Sequence, residues 1–327
     1  MATIKTFFTQ PEIAPKDIFI IGAGTFGKKA LERLSAKYPT SHITIVDRSE
    51  EALSNLPRNN GTAFRIIKGD GVETIVQNEK IIQPDTWVIP AIPVHVASEW
   101  IVRKLGHKGY NLNPAPIPED LQTKLPNPFT IEGRNDLLFV SIASFICPDN
   151  CPEPLEKCTH TGKPRPGNLY EMIANAVPEP WSALVFRSFQ LAPGVGGYPA
   201  SYLMEGLKTL EELVSFLGAE SRGIPFSAEC QGIPSSLVMP SECEASPPGD
   251  PSLRSGRQAE DPSLTFGVTA LSVIPRHEVP RNPQGDPSMT FEVTKNGSVG
   301  LNIQHPLIIA TACRCHGVVS AFKLHLS

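Results

Sequence analysis

The sequence predicts an α/β fold built on one doubly wound parallel sheet, and three observations carry that prediction. An apolar run, Ile18–Ile21, leads straight into Gly22-x-Gly24-x-x-Gly27 and from there into a helical pattern. A second apolar run, Ile43–Val46, ends in Asp47, 20 residues beyond Gly27. Short apolar runs then alternate with amphipathic stretches as far as residue 218, which is the rhythm of repeated strand–helix–strand units.

Each glycine of the first turn has a separate task. Gly22 permits the tight turn, Gly24 lets the backbone approach a pyrophosphate, and Gly27 lets the helix pack closely on the strand. Thr25 and Phe26 complete the first helical turn, whose amides would hold phosphates. The helix follows from Phe26, Ala30, Leu34 and Tyr38 at helical spacing, with Lys28, Lys29, Glu32 and Arg33 facing water. Asp47 is placed to bind both ribose hydroxyls of an adenosine and would repel a 2′-phosphate, so NAD is favoured over NADP. Arg48 pulls the other way, either accommodating that phosphate or stacking on the adenine. The pattern is a Rossmann dinucleotide site.

A third apolar run, Ala63–Ile67, precedes Lys68-Gly69-Asp70-Gly71. With these residues the amino-terminal part resembles the nucleotide-binding domain of potassium-uptake regulators, the TrkA-N or RCK type. It is also similar to the amino-terminal half of saccharopine-dehydrogenase-like reductases. The resemblance spans about residues 17–95 and implies a dinucleotide fold rather than an activity. It further implies that Asp70 lies beside the adenosine. A channel role would need a separate pore-forming partner.

The alternation continues. Asp85–Ile92 is a fourth strand with an irregular end at Pro90 and Pro93, and His95–Leu105 is a helix with Ala97, Trp100, Ile101 and Leu105 apolar. Leu137–Ser144 and Trp181–Phe189 are expected as the fifth and sixth strands, with a short helix at Asn168–Val177 between them. Ala200–Leu217 is amphipathic, with Leu203, Leu207, Leu210, Val214 and Leu217 on one stripe. The expectation is a six-stranded Rossmann sheet in the order 3-2-1-4-5-6 over residues 14–218, after an extension of residues 1–13. Ligands would then bind outside the carboxyl ends of the strands.

Composition sets the outer limits. The chain has 327 residues, 40% of them hydrophobic, enough for a real core, and its formal charge of −4 gives no basic excess for nucleic acid. Met1–Lys16 lacks a continuous apolar stretch, and no run reaches the roughly 18 apolar residues of a membrane helix. Leu307–Cys313 comes nearest, and Arg314 and His316 break it. A soluble, cytoplasmic protein is expected. Seven cysteines, an odd number without a secretory signal, argue for thiols or metal ligands rather than disulfides.

Four of the candidate ligands fall in the loop after the fifth strand. Cys147-x3-Cys151-x6-Cys158-x-His160 offers three sulfurs and an imidazole, suited to zinc or an iron–sulfur cluster, although the spacing matches no standard finger or ferredoxin run. Pro148, Pro152 and Pro154 would stiffen the loop. Thiols without a ligand are the alternative. The turn Gly194–Gly197 is either an anion-binding nest or a plain connector, and Lys163 and Arg165 add positive charge nearby. His95 stands either as a nicotinamide-side acid or base or as a polar helix start.

Beyond Gly218 the periodicity stops. Residues 219–327 are Pro- and Ser-rich and repeat themselves at Asp250, Asp261 and Asp286, at unequal separations, so a low-complexity, disordered tail is expected and its Cys313-Arg-Cys315-His316 group is discounted unless partner ligands appear. Two function classes follow. One is an NAD-dependent oxidoreductase closing the Cys147 loop and the Gly194 turn over a small anionic substrate. The other is a non-catalytic module sensing NAD or NADH for a regulatory partner. No acid–base pair can be assigned, and a homo-oligomer is left open.

Overall fold

The computed structural model describes residues 3–7, 9, 11, 14–57, 63–78, 80–221, 289–293 and 299–326. The chain opens with β1 (Thr3–Phe7), β2 (Asp17–Ile21), α1 (Thr25–Lys37), β3 (His42–Asp47), α2 (Glu50–Ser54), β4 (Phe64–Lys68), α3 (Gly71–Gln77), β5 (Trp87–Pro90) and α4 (Val96–His107). It continues through β6 (Asn111–Pro114), α5 (Glu119–Lys124), β7 (Phe129–Ile131), β8 (Arg134–Ser141), α6 (Leu169–Ala176), β9 (Ser182–Arg187), β10 (Phe189–Ala192), β11 (Val195–Pro199) and α7 (Ala200–Ser221). The last described strands are β12 (Met289–Val293), β13 (Val299–Ala312) and β14 (His316–Leu326).

The α/β class is as expected, and so is the parallel core of the first sheet. Its order is β10-β11-β5-β2-β3-β4, with β2 parallel to both β3 and β5 and β3 parallel to β4. Ile18 and Ile20 pack with Leu31 and Leu34 of α1 on one face, while Phe19 and Ile21 pack with Ile75, Trp100 and Leu203 on the other. A strand covered by helices on both faces has no polar side to show, which is why β2 reads as an unbroken apolar run.

The fifth and sixth positions are a correction. Leu137–Ser144 and Trp181–Phe189 do form strands, β8 and β9, yet both belong to a second sheet ordered β1-β9-β13-β14-β8-β7. All six residues of β9 are buried, so it needs a neighbour on each side. The parallel strands β1 and β13 supply them, one from each end of the chain. The place beside β5 is filled instead by the β10–β11 hairpin, with β11 antiparallel to β5. Gly194 turns that hairpin at φ +65, and a Cβ on Gly197 would stand 2.7 Å from Val88 O, so a glycine-rich stretch is what lets this edge form.

The carboxyl-terminal region needs the second correction. The repeats at Asp250 and Asp261 and the start of the third at Asp286 lie outside the described residues. Residues 299–326, expected as part of the tail, instead provide the two middle strands of the second sheet. Leu307, Ile308, Ile309 and Ala310 are fully buried, because α4 and α7 cover one face of that sheet and α5 and α6 the other. Helices α4 and α7 thus lie between the two sheets. Among the described residues no helix is long and apolar enough to cross a membrane.

Candidate functional site

The first site lies at the carboxyl ends of β2 to β5. Gly22 has φ +107, and a Cβ there would meet Ala91 O at 2.7 Å. A Cβ on Gly27 would come within 1.8 Å of Gly22 O, so only glycine lets α1 start this close to its strand. Gly24 faces open space within 4 Å. It caps α1 without a side-chain hydrogen bond, which leaves amides of the first turn available to a ligand.

Asp47 closes the other side of the turn. Its carboxylate accepts hydrogen bonds from Ala23 N at 2.6 Å and from Ser49 N at 2.7 Å, joining the glycine turn to the end of β3. Arg48 is paired with Asp70. Asp70 caps α3 by accepting from Glu73 N at 2.6 Å and also faces Arg103 at 3.4 Å. Burial alone would raise the Asp70 pKa, but the Glu73 amide, Arg48 and Arg103 outweigh it and hold the carboxyl below its usual range.

Two cavities flank α1 and share a wall. One, of about 380 Å³, is lined by Phe26, Ala30, Ala91, Ile92 and Gly194–Gly196. The other, of about 640 Å³, is lined by the same Phe26 and Gly194–Gly196 and reaches Cys147, Cys151, Cys313, Cys315 and His316. The exposed ring of Phe26 stands at their junction. Helix α1 fastens both loops that form the wall: Lys29 pairs with Asp149 at 2.5 Å, and Arg33 donates to Asp149 O at 2.9 Å and Pro193 O at 2.5 Å. Gln190 adds a bond to Cys151 O at 2.6 Å.

The expected ligand set Cys147, Cys151, Cys158 and His160 is not gathered, and this is the third correction. Among the described residues no group of three or more His, Cys, Asp or Glu side chains is drawn together to hold a metal ion. His160 leans on the ring of Phe145, centroids 4.7 Å apart. The Cys158 sulfur is engaged by the Thr161 hydroxyl and by the amides of Thr161 and His160, which lower its pKa. The Cys147 sulfur lies 3.4 Å from His316 Nε2 instead.

The turn between β13 and β14 therefore enters the site. Its discounted Cys313-Arg314-Cys315-His316 group meets the Cys147 loop because Glu153 accepts from Arg314 N at 2.6 Å and Arg165 donates to Arg314 O. Arg165 also donates to Pro154 O at 2.6 Å, so the cation expected to attract an anionic substrate is committed to the scaffold. Burial, with Cys151 and Cys158 nearby, raises the Cys147 pKa; burial also pushes Cys313 up to about 12 and Cys315 up to about 11. Those three thiols are protonated at neutral pH, which weighs against an activated cysteine nucleophile.

The remaining candidates are structural. Gly194 is the turn of a hairpin and Gly196 and Gly197 belong to its second strand, so the plain-connector reading holds over the nest. His95 is buried at the start of α4, with Nδ1 2.8 Å from Ser320 Oγ and Nε2 3.0 Å from Thr311 Oγ1. It ties the helix to the second sheet. Burial pushes its pKa down to about 3.

Two family models match different stretches of the chain. Residues 97–238 match a family model described as the C-terminal domain of an uncharacterized protein. An uncharacterized protein of Archaeoglobus fulgidus (strain ATCC 49558 / DSM 4304 / JCM 9628 / NBRC 100126 / VC-16) is 22% identical over 234 residues, which cover 67% of this chain and 97% of that one. No solved structure matches the chain. Residues 18–108 match the TrkA-N domain model, and with the glycine turn and Asp47 in place this segment is a TrkA-N/RCK-type NAD(P)-binding Rossmann domain.

Proposed function

We propose that the protein is an NAD-dependent oxidoreductase whose substrate enters the cysteine-lined cavity. The observation that carries this reading is the shared wall: Phe26 and Gly194–Gly196 line both the cavity beside the glycine turn and the larger one beyond it. A dinucleotide with its pyrophosphate on the amides of Thr25, Phe26 and Gly27 and its adenosine ribose on Asp47 has its nicotinamide half directed toward that wall. Bound NAD supplies the hydride chemistry. The protein's own part is to hold the cofactor, to exclude water with Phe26 and the β10–β11 hairpin, and to receive a small molecule in about 640 Å³. The Asp47 carboxylate at the end of β3 supports NAD over NADP, because it would repel a 2′-phosphate.

The sensing module is the second reading, favoured by one observation. His95, the titratable group best placed in sequence for proton transfer, is sealed between Ser320 and Thr311 and serves as a joint. Titration calorimetry with NAD, NADH and NADP tests the common part of both readings. Reduction of bound NAD across a panel of alcohols, hydroxy acids, amines and aldehydes then separates them: turnover supports the enzyme, and tight binding with no turnover supports the sensor.

A further inference from the structure

The ionisable side chains that line the cavity of about 640 Å³, apart from its cysteines, are Asp149, Glu153 and His316; among the described residues no lysine or arginine joins them. The cations around it are engaged elsewhere. Lys29 pairs with Asp149, Arg33 donates to Asp149 O and Pro193 O, and Arg165 donates to Pro154 O. Asp149 thus has a counter-charge, whereas Glu153 has none: its Oε1 accepts from the Arg314 amide at 2.6 Å, and among the described residues no ion pair engages the carboxylate. The cavity therefore carries one carboxylate in excess.

We propose that this cavity binds a primary amine in its protonated form, with the ammonium on the second oxygen of Glu153 and an apolar tail against Phe26 and Phe139. The assignment names the ligand class of the cavity in which the proposed reaction places its substrate. It rests on that reading for the amine's role as substrate, while the binding itself does not require the dinucleotide. The rest of the lining suits the class. Val195, Ala312 and Val318 extend the apolar wall, and Phe139 is held in place by the ring of Phe129, stacked with centroids 5.0 Å apart. An aromatic ring takes an apolar tail at its surface and attracts a cation to its face. An ammonium also brings three N–H donors that need acceptors once it leaves water. Glu153 supplies one. Gln190 donates its Nε2 to Cys151 O at 2.6 Å, which leaves its Oε1 as a second acceptor in the same lining, and the Ser188 hydroxyl is a third. An anionic ligand would instead meet two carboxylates and no lining cation, and partial exclusion of water strengthens that repulsion.

Titration calorimetry on the full-length chain tests the assignment with benzylamine, benzyl alcohol and benzoate, which share a ring and differ in the head group, first without dinucleotide and then with saturating NADH. We expect benzylamine to bind about tenfold or more tighter than benzyl alcohol, and benzoate not to bind. Glu153→Gln keeps an acceptor for the Arg314 amide and removes the charge, so it should erase the preference for benzylamine over benzyl alcohol and leave NADH affinity unchanged. Benzoate binding as tightly as benzylamine overturns the proposal, as does a benzylamine preference that survives Glu153→Gln, or the absence of binding by benzylamine and by its longer homologue phenylbutylamine alike. Should the variant fail to fold, the ranking of the three ligands on the wild-type chain decides. NADH binding without an amine preference sinks this assignment alone, and an amine preference without NADH binding supports it while sinking the dinucleotide reading.

Discussion

Acid should unfold this protein through His95 before most of its carboxylates titrate. The imidazole is buried, bonded to Ser320 and Thr311, and its pKa is lowered by burial from 6.5 to about 3. The folded state therefore resists a proton that the unfolded chain accepts. The associated stability is complete above the unfolded value and declines as pH falls from about 6.5 toward about 3. With those two values the unfolding free energy drops by about 2 kcal/mol between roughly pH 7 and pH 5, and by about 1.4 kcal/mol for each further unit. His316, whose pKa is also held down by burial, acts in the same direction. The assay is therefore a difference: urea unfolding of wild type and His95→Gln at several pH values. Glutamine keeps a donor and an acceptor for the two hydroxyls but cannot titrate, so the variant should be less stable at neutral pH and should approach wild type as the buffer is acidified. A stability difference that stays constant from neutral pH to pH 5 refutes the argument, since it would mean that His95 does not carry the proton linkage.

The other expectations concern the glycine turn and its neighbours. Gly27→Ala places a methyl 1.8 Å from Gly22 O, so it should abolish nucleotide binding in calorimetry and cost about 3 kcal/mol of stability or more. Asp47→Ala removes the acceptor of Ala23 N and Ser49 N and should weaken NAD binding by about tenfold or more while narrowing the gap between NAD and NADP. Asp70→Asn keeps a cap for α3 but loses the charge that pairs with Arg48 and Arg103, and should cost up to about 1 kcal/mol at neutral pH in thermal unfolding. Because the native carboxyl is depressed, that loss should be fully present above about pH 4 and vanish as pH falls through the folded value. Tyr198→Phe should leave stability unchanged or raise it by up to about 1 kcal/mol in urea unfolding, since the buried hydroxyl has no hydrogen-bond partner among the described residues.

The sequence was readable where a local rule and the tertiary structure demand the same residue. Gly22 and Gly27 stand where a Cβ would strike backbone, and Asp47 stands where its carboxylate joins two loop amides, so their spacing reports the turn directly. The strands β8 and β9 were legible as strands for the same reason, since burial on both faces requires an unbroken apolar run. Their sheet was not. An apolar run records that a strand is covered and carries no record of which neighbour pairs with it. The hairpin of Phe189–Pro199 was hidden by its own glycines and prolines, which lower strand propensity in any local reading while here they allow close contact with β5.

The candidate site divides along the same line. The Cys313-Arg314-Cys315-His316 group carried a visible signal in its residue types, and what it lacked was a partner. Only the pairing of β13 with β9 and of β14 with β8 brings that turn against the loop after β8, so that Cys147 faces His316 rather than His160. The amino-acid sequence alone determined the glycine turn, the acid at the end of β3 and the parallel core around them, because those features depend on steric limits within a few tens of residues. Tertiary structure decided the second sheet and the composition of the sulfur-lined cavity, because both depend on contacts between segments that chain order does not bring together.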